Sequence, residues 1–224
     1  MISAVLEVGP DYDILIVDDG SPDGTAAIVK ERQSSTPGRI HMIERSGKLG
    51  LGTAYIAGFK FGIKMKYDFI FEMDADFSHN PKDLPRLHAP LENGYDFSIG
   101  SRYVKGGGTK NWPLDREILS RGASFYVRMV TWMPIKDATA GFICYRREVL
   151  EAIDLDKIKF VGYAFQIEMK FSARSLGFKS VEVPIIFADR IEGTSKMSSG
   201  IISEAVWGVL KMKIKSFSNS YGRD

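Results

Sequence analysis

The sequence predicts an α/β domain in which a mostly parallel sheet is flanked by helices. Three observations carry that reading. Short β-type runs alternate with longer helical stretches. At 224 residues the chain suits one domain with a substantial core, spanning 1–224. Two apolar runs end in paired carboxylates, at the end of a strand where open α/β sheets bind their ligands.

In chain order, strands are expected at 13–17, 40–43, 69–73, 97–100, 141–145 and 181–187, each a compact apolar run. Helices are expected at 22–34, 52–65, 81–91, 116–132, 164–176 and 201–216. Ser21-Pro22 reads as an N-cap followed by proline at the first helical position, and Asn80-Pro81 repeats the arrangement. Gly177 reads as a helix stop. The glycines at 106–108 read as a mobile loop.

Composition narrows the function. Hydrophobic residues are 44% and charged residues 26%, ordinary for a soluble globular protein. A formal net charge of +2, with no nucleic-acid reader motif, argues against nucleic-acid binding and leaves anion recognition to local clusters. The lone Cys144 sits in an apolar run, which excludes a disulfide framework and fits a reducing compartment. No basic region precedes the first apolar residues, so no secretory signal is expected. No apolar run reaches the ~18 residues of a membrane span. The expected location is cytoplasmic.

Four groups of residues carry chemistry. A strand delivers Asp18 and Asp19 to the turn before Gly20-Ser21, where a carboxylate accepts hydrogen bonds from a nucleotide or simply forms a turn. A second strand ends at Asp74-Ala75-Asp76. Alternation places both carboxylates on one side, a hard-oxygen pair suited to Mg²⁺ or Mn²⁺. His79 is either a further ligand or structural. Lys48-Leu49-Gly50-Leu51-Gly52 opens a helix, so that its N–H groups face phosphate or the glycines merely form a turn. The cations Arg102, Arg116, Arg121, Arg190 and Lys196 lie near strand ends and a glycine-containing loop, where arginine forks and a lysine point charge suit phosphate.

Together these segments resemble the dolichyl-phosphate (polyprenyl-phosphate) mannosyltransferases, members of the inverting GT-A-fold glycosyltransferase family two. The matching stretches are DDGSPDGT (18–25), KLGLGTAYIAGFK (48–60), MDADFSHNP (73–81), GSRY (100–103), SRGASF (120–125), GYAFQIEM (162–169) and DRIEGTSKM (189–197). They span nearly the whole chain in a consistent order.

The resemblance implies a Rossmann-like GT-A sheet, GDP-mannose as donor and a polyprenyl or dolichyl phosphate as acceptor. It implies Mg²⁺ or Mn²⁺ at Asp74 and Asp76, with Val17, Asp19, Lys48 and Ala75 lining the nucleotide site and Asp18 beside it. Arg102, Arg190 and Lys196 are implied as clamps on donor diphosphate and acceptor phosphate. Asp137 and Gln166 lie in matching stretches and, with Arg116 and Arg121, are candidates near the acceptor phosphate. A phosphate acceptor, second pKa ~6, is already anionic near neutral pH and needs no general base.

The chain departs from the family at its start. Met1-Ile2-Ser3-Ala4-Val5-Leu6 looks like the helix that follows the family's first strand, so the sheet is expected to lack that strand, between those ending at Asp18 and Asp74. Rival readings are a UDP-glucose-dependent polyprenyl-phosphate glucosyltransferase and an inactive nucleotide-binding domain. Residues 201, 205, 209 and 212 form an apolar stripe beside Lys211, Lys213 and Lys215. This basic amphipathic helix either rests on anionic lipid or packs on its own domain. With no apolar run long enough to span a membrane, access to it is expected to be peripheral, at its cytoplasmic face, or through an anchoring partner.

Overall fold

The computed structural model describes residues 1–162, 164–189, 199–216 and 221–222, with side chains left undescribed at 199–205 and 215. Arg190 and Lys196 lie outside the described residues, as do the side chains of residues 201 and 205.

In chain order the elements are α1 (Ile2–Leu6), β1 (Ile14–Asp18), α2 (Thr25–Ser35), β2 (Ile40–Glu44), α3 (Leu51–Lys64) and β3 (Phe69–Glu72). A 3₁₀ turn at Pro81–Asp83 leads into α4 (Leu84–Glu92), β4 (Phe97–Ser101), β5 (Gly108–Lys110), α5 (Leu114–Thr131) and β6 (Ile143–Arg146). The chain continues through α6 (Arg147–Ala152), α7 (Ala164–Ser175), β7 (Ser180–Pro184), β8 (Ile186–Ala188) and α8 (Ser199–Lys215).

The central sheet has the order β3-β6-β4-β7, and β1-β2 and β5-β8 form separate pairs. The β1-β2, β4-β7 and β5-β8 pairings are parallel. β6 runs antiparallel to both β3 and β4, so the four-stranded sheet is mixed, while three of the five strand pairings among the described residues are parallel. Hydropathy patterning reports burial and is blind to strand direction. Among the described residues no strand pairs with the β1 and β3 edges that face away from β2 and β6.

Helices cover both faces. On one face α3, α5, α6, α7 and α8 enclose Phe59, Phe97, Tyr145 and Phe165, all at 1% exposure or less. Full burial of such a side chain stabilises by about 1.5–3 kcal/mol. Gly62 lets α3 close on β3, because a Cβ there would stand 2.8 Å from Ile70 Cδ1. On the other face α1 and α4 bury Val5, Leu84, Leu87 and Leu91 against Phe142 and Cys144. Cys144 is accordingly a packed, free thiol.

Three expected boundaries moved. Helix α2 starts at Thr25 after Gly24, at φ 81°, rather than at Pro22. The Ser21 N–H is bound to the Asp18 carboxylate, and Asp23 Oδ1 takes the N–H and hydroxyl of Thr25, so the segment turns twice before it coils. The expected strand 181–187 divides at Pro184: β7 pairs with β4, while β8 pairs with β5. The glycine run is therefore no mobile loop. Gly108 enters that ladder, and a Cβ on Gly107 would stand 2.4 Å from Ser101 O.

Two boundaries agree with the sequence. Asn80 caps the 3₁₀ turn by accepting the Lys82 N–H, with Pro81 following it. Gly177, at φ 89°, ends α7 with its N–H on Arg174 O and the Phe178 N–H on Ala173 O.

Candidate active site

Strands β1, β3 and β4 bring Asp18, the Asp74–Asp76 turn and Arg102 to their C-terminal ends. The turn after β1 is locked by Asp18, whose Oδ2 accepts the N–H groups of Gly20 (3.0 Å) and Ser21 (3.1 Å). The Ser21 hydroxyl, then these N–H groups, hold the Asp18 carboxyl below its usual range despite burial. Asp18 thus shapes the turn.

Asp19 faces the other way and is gripped by Arg45 in a fork, Nε to Oδ1 at 2.5 Å and Nη2 to Oδ2 at 2.6 Å. Arg45 Nη1 also donates to Thr53 Oγ1 at 2.7 Å, joining the β1 turn to the start of α3. Sequence reasoning missed Arg45, which lies three residues before Lys48 and outside every motif. Val17 is partly buried, with Leu15 and Val17 lying over Gly58 of α3, and Lys48 and Ala75 are exposed.

At the start of α3 the Gly52 N–H does not face an open site in the way expected for phosphate. Gly52 N–H is bound to Val161 O at 2.8 Å. A Cβ on Gly52 would stand 2.6 Å from Phe160 O, and one on Gly50, at φ 97°, would stand 2.9 Å from Val161 Cβ. Close packing on the 160–161 segment is what requires glycine.

Asp74 and Asp76 stand half-exposed just past β3. Tyr55 of α3 donates its hydroxyl to Asp74 Oδ1 at 3.2 Å. Ser78 donates its N–H (3.0 Å) and its hydroxyl to Asp76 Oδ1. Phe77 between them holds φ 62°, a left-handed conformation costly for a bulky residue and common at functional turns. His79 is structural: its Nδ1 accepts the Asp74 N–H at 3.1 Å, and burial lowers its pKa.

Among the described residues no three His, Cys, Asp or Glu side chains converge as a metal cage. The two oriented carboxylates fit the pattern in which Mg²⁺ or Mn²⁺ is completed by substrate phosphates. A cleft of about 490 Å³ behind this turn is lined by residues of α1, Phe77, Ser78 and Ile186, and contains neither aspartate.

Of the candidate cations among the described residues, Arg102 is the most deeply buried. Its Nε and Nη2 donate to Asp137 (2.7 and 2.6 Å), its backbone N–H joins Asp137 Oδ2 at 2.9 Å, and Nη2 reaches Thr139 Oγ1 at 2.9 Å. Three of its five side-chain donors are spent in this way, and Nη1 carries the other two. The rings of Tyr103, Trp112 and Phe187 stand 5.1–5.6 Å from its guanidinium carbon. Asp137, wholly buried, is the counter-ion of Arg102, and Glu182 in turn accepts the Asp137 N–H at 2.9 Å.

Phe187 joins this cage to the carboxylate turn. Its ring lies edge-on to His79, centroids 5.1 Å apart, and Ala188 N–H bonds Ser78 O at 3.2 Å. On the outer rim Arg116 pairs with Asp189 at 2.7 Å and stacks on Trp112, while Arg121 pairs with Glu117 and covers Tyr103.

Gln166 does not join this rim. It is buried, donating to Glu72 Oε2 at 3.4 Å, and its backbone carbonyl accepts from Lys170. Lys170 donates to the carbonyls of Ala138, Ala140 and Gln166 (3.1, 2.6 and 3.0 Å), pinning the loop that carries Asp137. Burial raises the Glu72 carboxyl to about 8 and lowers the Lys170 ammonium to about 8.

Residues 1–154 match the family model described as Glycosyl transferase family 2. The chain belongs to that family. It is 46% identical over 215 residues to the polyprenol monophosphomannose synthase of Mycolicibacterium smegmatis, covering 96% of this chain and 81% of the relative. It is 47% identical over 202 residues to the undecaprenyl-phosphate mannosyltransferase of Micrococcus luteus, covering 90% and 82%.

Among solved structures it resembles glucosyl-3-phosphoglycerate synthase from Mycobacterium tuberculosis. In the form holding Mn²⁺, UDP and phosphoglyceric acid, the TM-score is 0.61 at 14% identity, with 92% of this chain and 68% of that one covered. The likeness shows a shared GT-A-like fold. The chain is thus a family 2 glycosyltransferase domain whose relatives act on polyprenol phosphates.

Proposed function

We propose that the chain transfers mannose from GDP-mannose to the phosphate of a polyprenyl or dolichyl lipid, with inversion and with Mg²⁺ or Mn²⁺. In this reading residues 1–224 form one catalytic domain working peripherally at the cytoplasmic face of a membrane. The observation that carries it is the joining of two oriented carboxylates, Asp74 and Asp76, to the buried Arg102–Asp137 cage through His79 and Phe187. The mannosyltransferase relatives, at 46% and 47% identity, support the sugar and the lipid class.

The reaction needs two anions brought together in line. A phosphate oxygen of the lipid forms the new bond to the anomeric carbon as the bond to GDP breaks, and the departing β-phosphate oxygen keeps the electron pair. No proton has to move, which suits a site where, among the described residues, no exposed histidine stands beside the carboxylates. Asp74 and Asp76 would hold the cation, which offsets diphosphate charge as GDP leaves.

Val17, Asp19, Lys48 and Ala75 are assigned to the donor, with Asp19 held in place by Arg45. Arg102, through Nη1, together with Arg190 and Lys196, is assigned to the phosphates. Arg116 and Arg121 form the outer rim toward the acceptor. Positioning and fixed charge supply the acceleration.

Transfer of labelled sugar to polyprenyl phosphate from GDP-mannose and from UDP-glucose, run side by side, tests the reading. Mannolipid formed from GDP-mannose is the expected result. Glucolipid from UDP-glucose, or nucleotide binding with no turnover of either donor, overturns it.

A further inference from the structure

Tyr55 of α3 uses its ring and its hydroxyl for different purposes. The ring stacks on Phe165, centroids 5.8 Å apart and planes 7° from parallel, and lies 6.3 Å from Phe59. Phe59 and Phe165 are buried to 1% exposure or less. Three residues before Tyr55, a Cβ on Gly52 would stand 2.7 Å from Phe165 Cδ2, so α3 and α7 meet closely where the ring lies. The hydroxyl leaves this apolar contact and reaches Asp74 Oδ1 at 3.2 Å. An ionised carboxylate only accepts, so the phenol donates.

Packing does not require that hydroxyl. Phenylalanine has the same ring, and the Asp74 side chain, 39% exposed, can take its hydrogen bond from water. What water does not supply is a fixed orientation. Asp76, the other carboxylate of the pair, is held by the N–H and hydroxyl of Ser78, a residue of the same turn. Tyr55 comes from α3, 19 residues away from Asp74, and ties the turn to a rigid element.

The two oxygens of Asp74 then differ. Oδ1 is taken by Tyr55, while His79 Nδ1 accepts the Asp74 backbone N–H at 3.1 Å. Because that nitrogen is an acceptor, its 4.0 Å approach to Asp74 Oδ2 is not an ion pair. Among the described residues Oδ2 receives no hydrogen bond, which leaves one oxygen of Asp74 for a cation.

Helix α3 serves the donor side as well. Two residues before Tyr55, Thr53 Oγ1 accepts from Arg45, and Arg45 grips Asp19. The start of one helix therefore supports both a carboxylate assigned to the donor and a carboxylate assigned to the cation.

We propose that Tyr55 is a positioning residue that sets the cation affinity of the Asp74–Asp76 turn by holding Asp74 Oδ1. The proposal rests on the metal reading of that turn and deepens it. Groups that orient a metal's ligands by hydrogen bonding typically contribute about 10–100-fold in affinity.

The test is Mn²⁺ binding by the full chain, read by water-proton relaxation, which is enhanced when the ion is held on a slowly tumbling molecule. GDP and UDP are added in separate series, with no sugar donor and no lipid. Tyr55→Phe should weaken Mn²⁺ binding at least about tenfold. Tyr67→Phe, which takes a hydroxyl from Asp13 at the opposite end of β1, should leave it unchanged. Both variants should melt near the wild-type temperature. In transfer assays of Tyr55→Phe, the Mn²⁺ concentration giving half the maximal rate should rise about tenfold, with the rate at saturating Mn²⁺ within about twofold of wild type.

Four results overturn the proposal: no Mn²⁺ binding by the wild type with either nucleotide, equal affinity in Tyr55→Phe, an equal loss in Tyr67→Phe, or partial unfolding of Tyr55→Phe at the assay temperature. The expected loss of Mn²⁺ affinity, in a chain that transfers no mannose, would leave Tyr55 in its role and remove the mannosyltransferase reading instead.

Discussion

Asp137 holds Arg102 through three hydrogen bonds, two from the guanidinium and one from the backbone N–H, and both residues are buried. Desolvation makes such a pair a weak source of net stability, yet removing one partner strands a buried charge. Asp137→Ala should destabilise by about 3–5 kcal/mol, read as a lower urea midpoint. Asp137→Asn, which keeps one acceptor, should lose less. Equal midpoints for wild type and D137A would show that Arg102 does not depend on this partner.

Arg45 ties Asp19 to Thr53, so Arg45→Lys removes the planar fork while keeping the charge. The donor nucleotide should bind about tenfold more weakly, the equivalent of one charge-assisted hydrogen bond, with thermal stability nearly unchanged. Titration calorimetry with GDP checks this. An unchanged affinity would remove Asp19 from the donor site.

Gly52→Ala sets two effects against each other. Alanine gains about 1 kcal/mol of helix propensity. Its Cβ would stand 2.6 Å from Phe160 O and 2.7 Å from Phe165 Cδ2, a backbone atom and a packed ring with little room to yield. Overpacking of this kind costs about 1–3 kcal/mol, so the variant should be less stable by chemical denaturation.

Glu72 provides a pH signature. Its carboxyl is raised from 4.5 to about 8, mainly by burial. The folded state therefore binds the proton more tightly than the unfolded state, and this contribution to stability is full below pH 4.5 and lost as pH rises through 8. Glu72→Gln should flatten the fall in melting temperature between pH 5 and 8. An unaltered slope would mean that Glu72 ionises normally.

Much of this architecture is legible in the chain. Apolar runs located the six expected strands, and Asn80-Pro81 and Gly177 marked helix ends through local hydrogen bonding. What escaped was non-local. β6 looks like any buried strand, and its direction depends on partners distant in sequence. Ser21 resembles a cap until the Asp18 carboxylate claims its N–H. Lys170 and Glu72 did leave a signal, charges inside the apolar runs 164–173 and 69–73, but their partners lie on other elements. Arg102 was found as a rim cation, while its counter-ion Asp137 lies 35 residues on.

The measurement that bears most directly on the central claim is the initial rate of mannose transfer from GDP-mannose to polyprenyl phosphate against Mg²⁺ concentration. Wild type, Asp74→Asn and Asp76→Asn should be compared, each confirmed folded by its melting curve. The predicted result is a wild-type rate abolished by chelation and restored by Mg²⁺ or Mn²⁺, with both variants slower by about 10² or more, as expected when several kcal/mol of charge stabilisation is lost. A wild-type rate unaffected by chelation, or full activity in both variants, would contradict it.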